Sequence, residues 1–195
     1  MMKLIRHGIA FALSFIVALQ VAHASGRASL SGKEDGPLVY TVRQGDTLED
    51  IARRYLVSPA AIPSVQRLNR IGNERAIPVG TRLRLPRSVL RYRPVTLSVV
   101  AFSGPVQIDG QTARIGMALG EGGTLATSAN GFVSLAGQFG GRFAVPSNSR
   151  ARVVAARQYV LADTLDIDIA IEKGRGSAQS PRLKGEDRLR LRTPV

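Results

Sequence analysis

The stretch YTVRQGDTLEDIARRY, residues 40–55, joins a strand pattern to a helix pattern through a short turn. β-prone residues lead into Gln44-Gly45, a pair that is typical of turns. Leu48, Ile51, Ala52 and Tyr55 then follow at the spacing of one helical face. This junction therefore predicts a strand that turns directly into an amphipathic helix.

Asp46 stands at the predicted start of that helix, and Glu49 follows three residues later. An Asp at the N-cap accepts a hydrogen bond from an exposed helix N–H, and a Glu in the first turn suits the helix dipole. We therefore predict that Asp46 caps the helix and that Gly45 permits the turn.

A second helix and a closing strand are predicted downstream. Ser58-Pro59 offers a cap residue and a proline suited to the first helical position, and Pro63 could delay the true start. Ile62, Val65 and Leu68 form a second apolar face, and residues 81–86, TRLRLP, alternate as a strand does. Residues 38–86 are thus predicted as one unit with the order strand, helix, helix, strand.

Residues 39–86, with YTVRQGDTLEDIARRY, QRLNRI and IPVGTRLRLP in this order, closely resemble the LysM domain. The resemblance implies a βααβ fold with both helices on one side of a two-stranded sheet. It also implies binding of glycans that contain N-acetylglucosamine, such as peptidoglycan and chitin. The implied groove lies between the first strand–helix loop and the loop after the second helix. Its implied glycan-binding residues are Gly45, Asp46, Thr47, Leu48, Asn69, Arg70, Ile71, Ile77 and Pro78.

A purely structural role stays open for the residues of this predicted groove. Asp46 can act as a helix cap, Gly45 as a turn residue, and Asn69 as the C-cap of the second helix. Ile71 and Ile77 can close a small core. The loop of residues 71–76, IGNERA, is also longer and more charged than in compact LysM repeats, which bears on the shape of the groove.

The N-terminal residues predict export. A basic start, the apolar run of residues 8–19 and Ala22-His23-Ala24 together indicate a signal peptide over residues 1–24. The alternative, a membrane anchor, is less favoured because a span needs roughly 18 apolar residues. Residues 25–37 lack apolar periodicity and are predicted as a flexible linker. We expect no membrane span after cleavage, and a location in the periplasm or cell envelope of a bacterium, or outside the cell.

Composition narrows the possible functions. The chain of 195 residues has no Cys, and both of its histidines, His7 and His23, lie in the predicted signal peptide. Cys–His and Ser–His–Asp catalysis and His- or Cys-based zinc sites are therefore not expected. We predict no catalytic residues, no metal and no cofactor.

The chain carries a formal net charge of +13. For an exported protein this favours the anionic cell envelope as partner over nucleic acid, which we do not expect to bind. The arginines are spaced by two in three places, a pattern typical of one solvated strand face. These sets are Arg82 and Arg84; Arg150 and Arg152; and Arg188, Arg190 and Arg192.

The second half is predicted as a run of short strands. After a connection over residues 87–94, residues 95–195 show close, regular β patterns separated by turn pairs such as Asp109-Gly110. We predict an α+β chain: a small βααβ unit followed by an all-β domain, a sandwich, a jelly-roll or a solenoid. In the alternating stretch LDIDI, we interpret Asp166 and Asp168 as solvated surface rather than as a metal or acid pair.

Residues from about 99 to 195 resemble the FecR-type domain, through SGPVQIDGQTARIGMALGEGGTLATSANGFVSLAG and FAVPSNSRARV. In its founding family this domain relays a signal from an outer-membrane receptor to a sigma factor. Those relays have an N-terminal cytoplasmic segment and a membrane helix where this chain has other sequence, so we do not transfer the signalling role. The ending LRLRTPV indicates either a truncated C-terminus or a last strand without a partner.

These patterns predict a non-catalytic cell-envelope protein that binds peptidoglycan through the LysM segment and contacts an envelope protein through its β domain. The alternative is a periplasmic assembly or signalling-accessory protein in which the FecR-like domain is the main binding element. A wall-glycan hydrolase acting through an Asp/Glu pair is a third hypothesis. The sequence offers it no pair with an evidently buried setting.

Overall fold

The structure is a computed structural model that describes residues 36–73, 77–180 and 182–194. The predicted signal peptide, the predicted linker up to residue 35 and loop residues 74–76 lie outside these ranges. Within them the chain is mostly β, with two α-helices, α1 (Leu48–Tyr55) and α2 (Ile62–Asn69). The strands are β1 (Leu38–Thr41), β2 (Arg82–Leu85), β3 (Tyr92–Pro94), β4 (Leu97–Ser103), β5 (Val106–Ile108), β6 (Gln111–Thr112), β7 (Ala118–Leu119), β8 (Thr124–Thr127), β9 (Phe132–Gly137), β10 (Arg142–Val145), β11 (Arg150–Tyr159), β12 (Thr164–Lys173), β13 (Ser177–Gln179) and β14 (Arg188–Arg192).

The N-terminal unit, residues 36–86, has the predicted order of strand, helix, helix and strand. Strands β1 and β2 pair antiparallel, with Tyr40 opposite Leu83 and Thr41 opposite Arg82. Because side chains alternate along a strand, one face of this sheet is buried and the other is open. The buried face carries Leu38, Tyr40, Leu83 and Leu85, and the open face carries Val39, Thr41, Arg82 and Arg84.

The second α-helix begins at Ile62, next to Pro63, which is the later of the two starts that the sequence offered. The Ser58 hydroxyl accepts a hydrogen bond from the Ala60 N–H, 3.2 Å away, and caps a 3-10 turn over Pro59–Ala61. Pro63 then lies in the first turn of α2, where a missing N–H costs least. Val65, fully buried, anchors this helix to the core of the N-terminal unit.

The C-terminal region forms two sheets around one core. One sheet has five strands in the order β13-β10-β9-β4-β7. The other has seven, in the order β14-β12-β11-β8-β5-β6, with β3 on β11. Their inward residues, such as Leu97 and Leu135 from one sheet and Val153 and Ile167 from the other, share a single apolar cluster. This arrangement is compatible with the predicted all-β sandwich.

Some of the turns and strands predicted from the sequence are present in the structure, and others were missed. The predicted hairpin at Asp109-Gly110 is present, with both residues at positive φ between β5 and β6. The last strand, β14, has a partner, since it runs parallel to β12. Strands β3, β7 and β13 were not predicted. Each has only two or three residues, too short to show an alternating pattern.

The interpretation of Asp166 and Asp168 as solvated surface is wrong. The residues are 5% and 0% exposed. Strand β12 lies between β11 and β14, and both of its faces are covered. Alternation in LDIDI separates the two faces of the strand, but it does not reveal what covers the polar one. The same correction applies to Arg188 on β14, which is buried rather than solvated, whereas Arg82, Arg84, Arg150 and Arg152 are exposed as predicted.

Residues 87–94 attach the N-terminal unit firmly to the β-rich region. They form a 3-10 turn over Arg87–Val89 and strand β3. The Val57 N–H donates to the Val89 carbonyl (3.0 Å), and the Arg91 N–H donates to the Tyr55 carbonyl (2.7 Å). Leu90, with Tyr159 and Leu161 from the β-rich region, belongs to the core of the N-terminal unit. The two units therefore share one apolar core at their junction.

Among the described residues, no helix has both the length and the apolar character needed to cross a membrane.

Candidate functional site

The loop between β1 and α1 and the loop of residues 77–81 before β2 lie at the same end of the small sheet. The Val42 N–H donates to the Thr81 carbonyl and the Gly80 N–H donates to the Val42 carbonyl, both at 2.9 Å. Val42 directly precedes the turn that contains Gly45, and Gly80 follows Pro78 by two residues. The structure thus brings Gly45 and Pro78, from opposite sides of the predicted groove, to one end of the fold.

Asp46 closes the first of these loops. The Asp46 N–H donates to the Arg43 carbonyl (3.1 Å), and Gly45 occupies the turn between them at φ +82°. One carboxylate oxygen of Asp46 accepts from the Tyr40 hydroxyl (2.6 Å) and the Arg43 N–H (2.8 Å), and the other accepts from Arg54. Hydrogen bonds from Tyr40, Arg43 and Arg54 lower the pKa of Asp46 from 3.8 to about 2.

Thr47 is the N-cap of α1, and the prediction that Asp46 caps this helix is wrong. The Thr47 hydroxyl oxygen accepts from the Asp50 N–H (3.1 Å), and the Thr47 O–H donates to the Asp50 carboxylate (2.7 Å). Two overlapping patterns, Asp46-x-x-Glu49 and Thr47-x-x-Asp50, fit the same start signal. The second is used because the Asp46 carboxylate is engaged by Tyr40 and Arg54.

Leu48 differs from the role that the resemblance implies. Its side chain is 0% exposed and belongs to the core of the N-terminal unit. Only its backbone can therefore contribute to a surface groove. The apolar contact proposed for this residue is not available in this structure.

Asn69 connects α2 to β2. Its side-chain N–H groups donate to the carbonyls of Val65 and Arg84, both at 2.8 Å, and its oxygen accepts from the Arg84 N–H at 2.7 Å. Both N–H hydrogens are thereby used within the fold. The geometry gives Asn69 a structural role, but not the C-cap predicted from the sequence: Asn69 is the last residue of α2, and Arg70 is the C-cap.

The chain after α2 turns through Arg70, which adopts the left-handed conformation at φ 55° and ψ 41°. The Ile71 N–H then donates to the Gln66 carbonyl at 3.0 Å, a closure typical of helix C-termini. Ile71 and Ile77 pack against the core while remaining partly exposed, and Pro78 is exposed. On this side of the predicted groove, the groups that remain available are the half-buried side chains of Ile71 and Ile77 and the exposed Pro78.

This arrangement is suited to binding rather than to catalysis. Half-buried isoleucines and loop backbone groups can contact the apolar face and the acetamido group of a sugar. Asp46 is a poor general acid at neutral pH because its three donors hold it ionised. Within residues 36–73, 77–180 and 182–194, no three acidic side chains come together in a way that could hold a metal.

The geometry defines a small α+β binding unit, with two helices on one side of a two-stranded sheet and an open loop end. Residues 40–86 match the family model of the LysM domain, so this part of the chain is a LysM domain. Comparison with curated proteins and with solved structures gives no match for the chain.

A second polar site, the ionic cluster, lies where the LysM domain meets the β-rich region. Its members are Arg87, Asp166, Asp168, Arg190 and Arg192. Arg192 Nε lies 3.0 Å from both oxygens of Asp168, and Arg190 Nη2 lies 3.1 Å from one of them. Asp166 is held more loosely, with Arg87 Nη1 and Arg190 Nη2 each 3.7 Å from its carboxylate.

Arg87 links this cluster to both units. Its Nε donates to the Gly36 carbonyl (3.2 Å), its Nη2 donates to the Glu186 carbonyl (3.1 Å), and its guanidinium stacks on the Tyr159 ring. Burial raises the pKa of Asp166 and lowers that of Arg87. The sequence does contain a signal for this cluster. LDIDI alternates apolar with acidic residues and RLRLR alternates apolar with basic residues, a pairing of opposite charges that favours neighbouring strands, as β12 and β14 are.

Proposed function

We propose that this chain is a non-catalytic cell-envelope protein whose LysM domain binds peptidoglycan or a related N-acetylglucosamine glycan. LysM domains bind such glycans, and the match over residues 40–86 is the observation that carries the proposal. The shared loop end around Gly45 and Pro78 supports it, because it leaves partly exposed apolar and backbone groups on one surface. Export through a signal peptide over residues 1–24 belongs to the same proposal, as does a periplasmic or secreted location.

The test is co-sedimentation of the full protein with purified peptidoglycan sacculi. Alanine variants of Asp46, Thr47 or Asn69 would be poor probes, since each of these side chains holds the fold together. Gly72 is better placed: it is exposed in the loop after α2, its φ lies outside the left-handed region, and an added Cβ would meet no atom within 4 Å. We expect Gly72→Trp to obstruct the groove without straining the fold.

The matched control is Gln111→Trp, which adds the same indole at an exposed position on edge strand β6. We expect the protein and Gln111→Trp to sediment with sacculi and to be displaced by soluble N-acetylglucosamine oligomers. Gly72→Trp should bind at least about tenfold more weakly. Salt at about 0.15 M and above separates this binding from charge attraction by a +13 chain. Equal sedimentation of both variants, or no displacement by oligomers, would remove the proposal's support.

We further propose that the β-rich region contacts another envelope protein, as the FecR-like sequence pattern implies. The candidate contacts are three large exposed apolar side chains on β4 and β9, of which Phe102, opposite Val133, and Phe132 lie on different faces of the sheet. The third is Val100. In the alternative form of the proposal, this region is the main binding element. If Gly72→Trp still associates with the cell envelope, that result would favour the alternative. Zymography on sacculi would test the hydrolase hypothesis.

A further inference from the structure

The open face of the small sheet carries two arginines that neither the fold nor the glycan groove uses. Arg82 and Arg84 project from β2 on the side opposite the helices, and both are exposed. No hydrogen bond or ion pair joins either guanidinium to another residue in the described ranges. A solvated strand face would explain this pair alone, but a third arginine, from another part of the chain, lies beside it.

That third residue is Arg188, at the start of β14. It is 3% exposed, and its Nη2 donates to the Gly36 carbonyl at 3.3 Å. Together with Arg82 and Arg84 it lines a cavity of about 440 Å³, the arginine pocket, between the LysM sheet and the β-rich region. Pro37 and Val39 form its apolar wall, and Glu186, which is exposed, is the acidic residue at its edge.

The charges of the arginine pocket therefore sum in favour of an anion. Three arginines and one glutamate line the pocket, and the charge of Arg188 also acts on the buried carboxylate of Asp166. The excess positive charge therefore rests on Arg82 and Arg84, whose guanidiniums have no partner within the described residues. Guanidinium groups bind phosphate in a bidentate manner that lysine cannot reproduce. A cavity with partly covered walls also strengthens these contacts, because solvent screens them less than on a flat surface.

We propose that the arginine pocket binds a phosphate group of an anionic polymer, at a site separate from the glycan groove. A polymer is favoured over a membrane surface because the pocket is concave and none of the large exposed apolar side chains of the described residues lines it. The spacing of Arg82 and Arg84 by two residues along β2 places their guanidiniums on one side of the sheet, as contact with successive phosphates requires.

The test compares two double variants that remove the same charge. Arg82→Gln/Arg84→Gln alters the pocket. Arg150→Gln/Arg152→Gln is the matched control, since these residues are also exposed, also spaced by two on a strand, and distant in sequence, and Arg152 is already 3.4 Å from Glu172. The probes are polyphosphate, inorganic phosphate and phosphatidylglycerol vesicles, with affinity measured over a range of salt concentrations.

We expect Arg82→Gln/Arg84→Gln to weaken polyphosphate binding about tenfold or more and to lower the salt slope by about two, while the control changes affinity by less than about threefold. Inorganic phosphate should compete. Equal losses in both variants would overturn the proposal in favour of net-charge attraction. Binding to vesicles but not to polyphosphate would overturn it in favour of a membrane. Gly72→Trp should keep polyphosphate binding, and the double glutamine variant should keep binding to neutral oligomers, so the two proposals fail separately.

Discussion

Leu90→Ala tests whether the LysM domain and the β-rich region unfold as one cooperative unit. Leu90 is 1% exposed and lies in the connection, outside the matched residues 40–86, yet it belongs to the LysM core. Truncating a buried leucine costs about 2–5 kcal/mol, because apolar contacts are lost and a cavity remains. We expect about 3 kcal/mol, which for a chain of 195 residues corresponds to a fall in Tm of about 6–12 °C.

Two optical probes report on the two units in different proportions. The chain has four tyrosines and no tryptophan. Tyr40, Tyr55 and Tyr159 lie in or against the LysM core, and Tyr92 contacts Tyr159 with ring centroids 6.2 Å apart. Tyrosine fluorescence therefore reports on the LysM domain and the junction, whereas far-UV circular dichroism reports mainly on the two β-sheets.

If the shared core couples the units, both signals of Leu90→Ala will shift together to the lower temperature. Leu183→Ala is the control: Leu183 is 40% exposed, and its truncation should change stability by less than about 0.5 kcal/mol. A fluorescence transition that moves while the circular dichroism transition stays in place would refute the coupling. It would show that the LysM domain unfolds independently.

Three further predictions follow from single contacts. The pKa of Asp46 in the folded protein is about 2, below its usual 3.8, so the stability that its charged form contributes is present above about pH 4 and is lost as the pH falls toward 2. In acid unfolding followed by tyrosine fluorescence, Asp46→Asn should not show this loss of stability between about pH 4 and pH 2. Asp168→Ala should cost about 1.5–3 kcal/mol in chemical denaturation, since the charge-assisted hydrogen bonds of Arg192 to Asp168 are lost while the more exposed guanidiniums can be solvated by water, and a loss below about 1 kcal/mol would contradict this. Thr47→Ala should cost about 1 kcal/mol through loss of the cap, with Thr47→Ser close to the original protein; equal losses in both would show that the hydroxyl is not the cause.

The sequence predicted the LysM segment well because its signals are local. Turn residues, a helical apolar face and two alternating strands lie within about fifty residues, and each is readable without tertiary information. The order of elements and the strand and helix positions of this segment agree with the structure to within a few residues. The position of the N-cap failed by one residue because Asp46 and Thr47 both satisfy the capping pattern locally. The choice depends on contacts outside the capping pattern: Asp46 is engaged by Tyr40 from β1 and by Arg54 from the last turn of α1.

A second group of failed predictions concerns what covers a surface. Asp166 and Asp168 have the alternation of a half-exposed strand, and so do Arg82 and Arg84. The first pair is buried because Arg87 from the connection and the arginines of β14 cover it, whereas the second pair stays open. Period-two patterns assign residues to faces, but coverage is set by contacts between residues that are distant in the chain. Two predicted groove residues also have structural roles that depend on tertiary contacts: Leu48 is buried in the core, and the Asn69 side chain is hydrogen-bonded to Arg84.

The junction changes how binding by the LysM domain should be studied. Removing the β-rich region would take Leu90, Tyr159 and Leu161 out of the LysM core and would expose the side chains that they cover. It would also remove Arg188 from the arginine pocket and the carboxylates that lie near Arg87. An isolated LysM segment could then lose glycan binding through unfolding, and phosphate binding through loss of a pocket wall. Neither loss would identify the residues responsible. Point variants on exposed positions of the full chain, such as Gly72→Trp and Arg82→Gln/Arg84→Gln, leave the shared core intact, so a change in binding can be assigned to the surface that was altered.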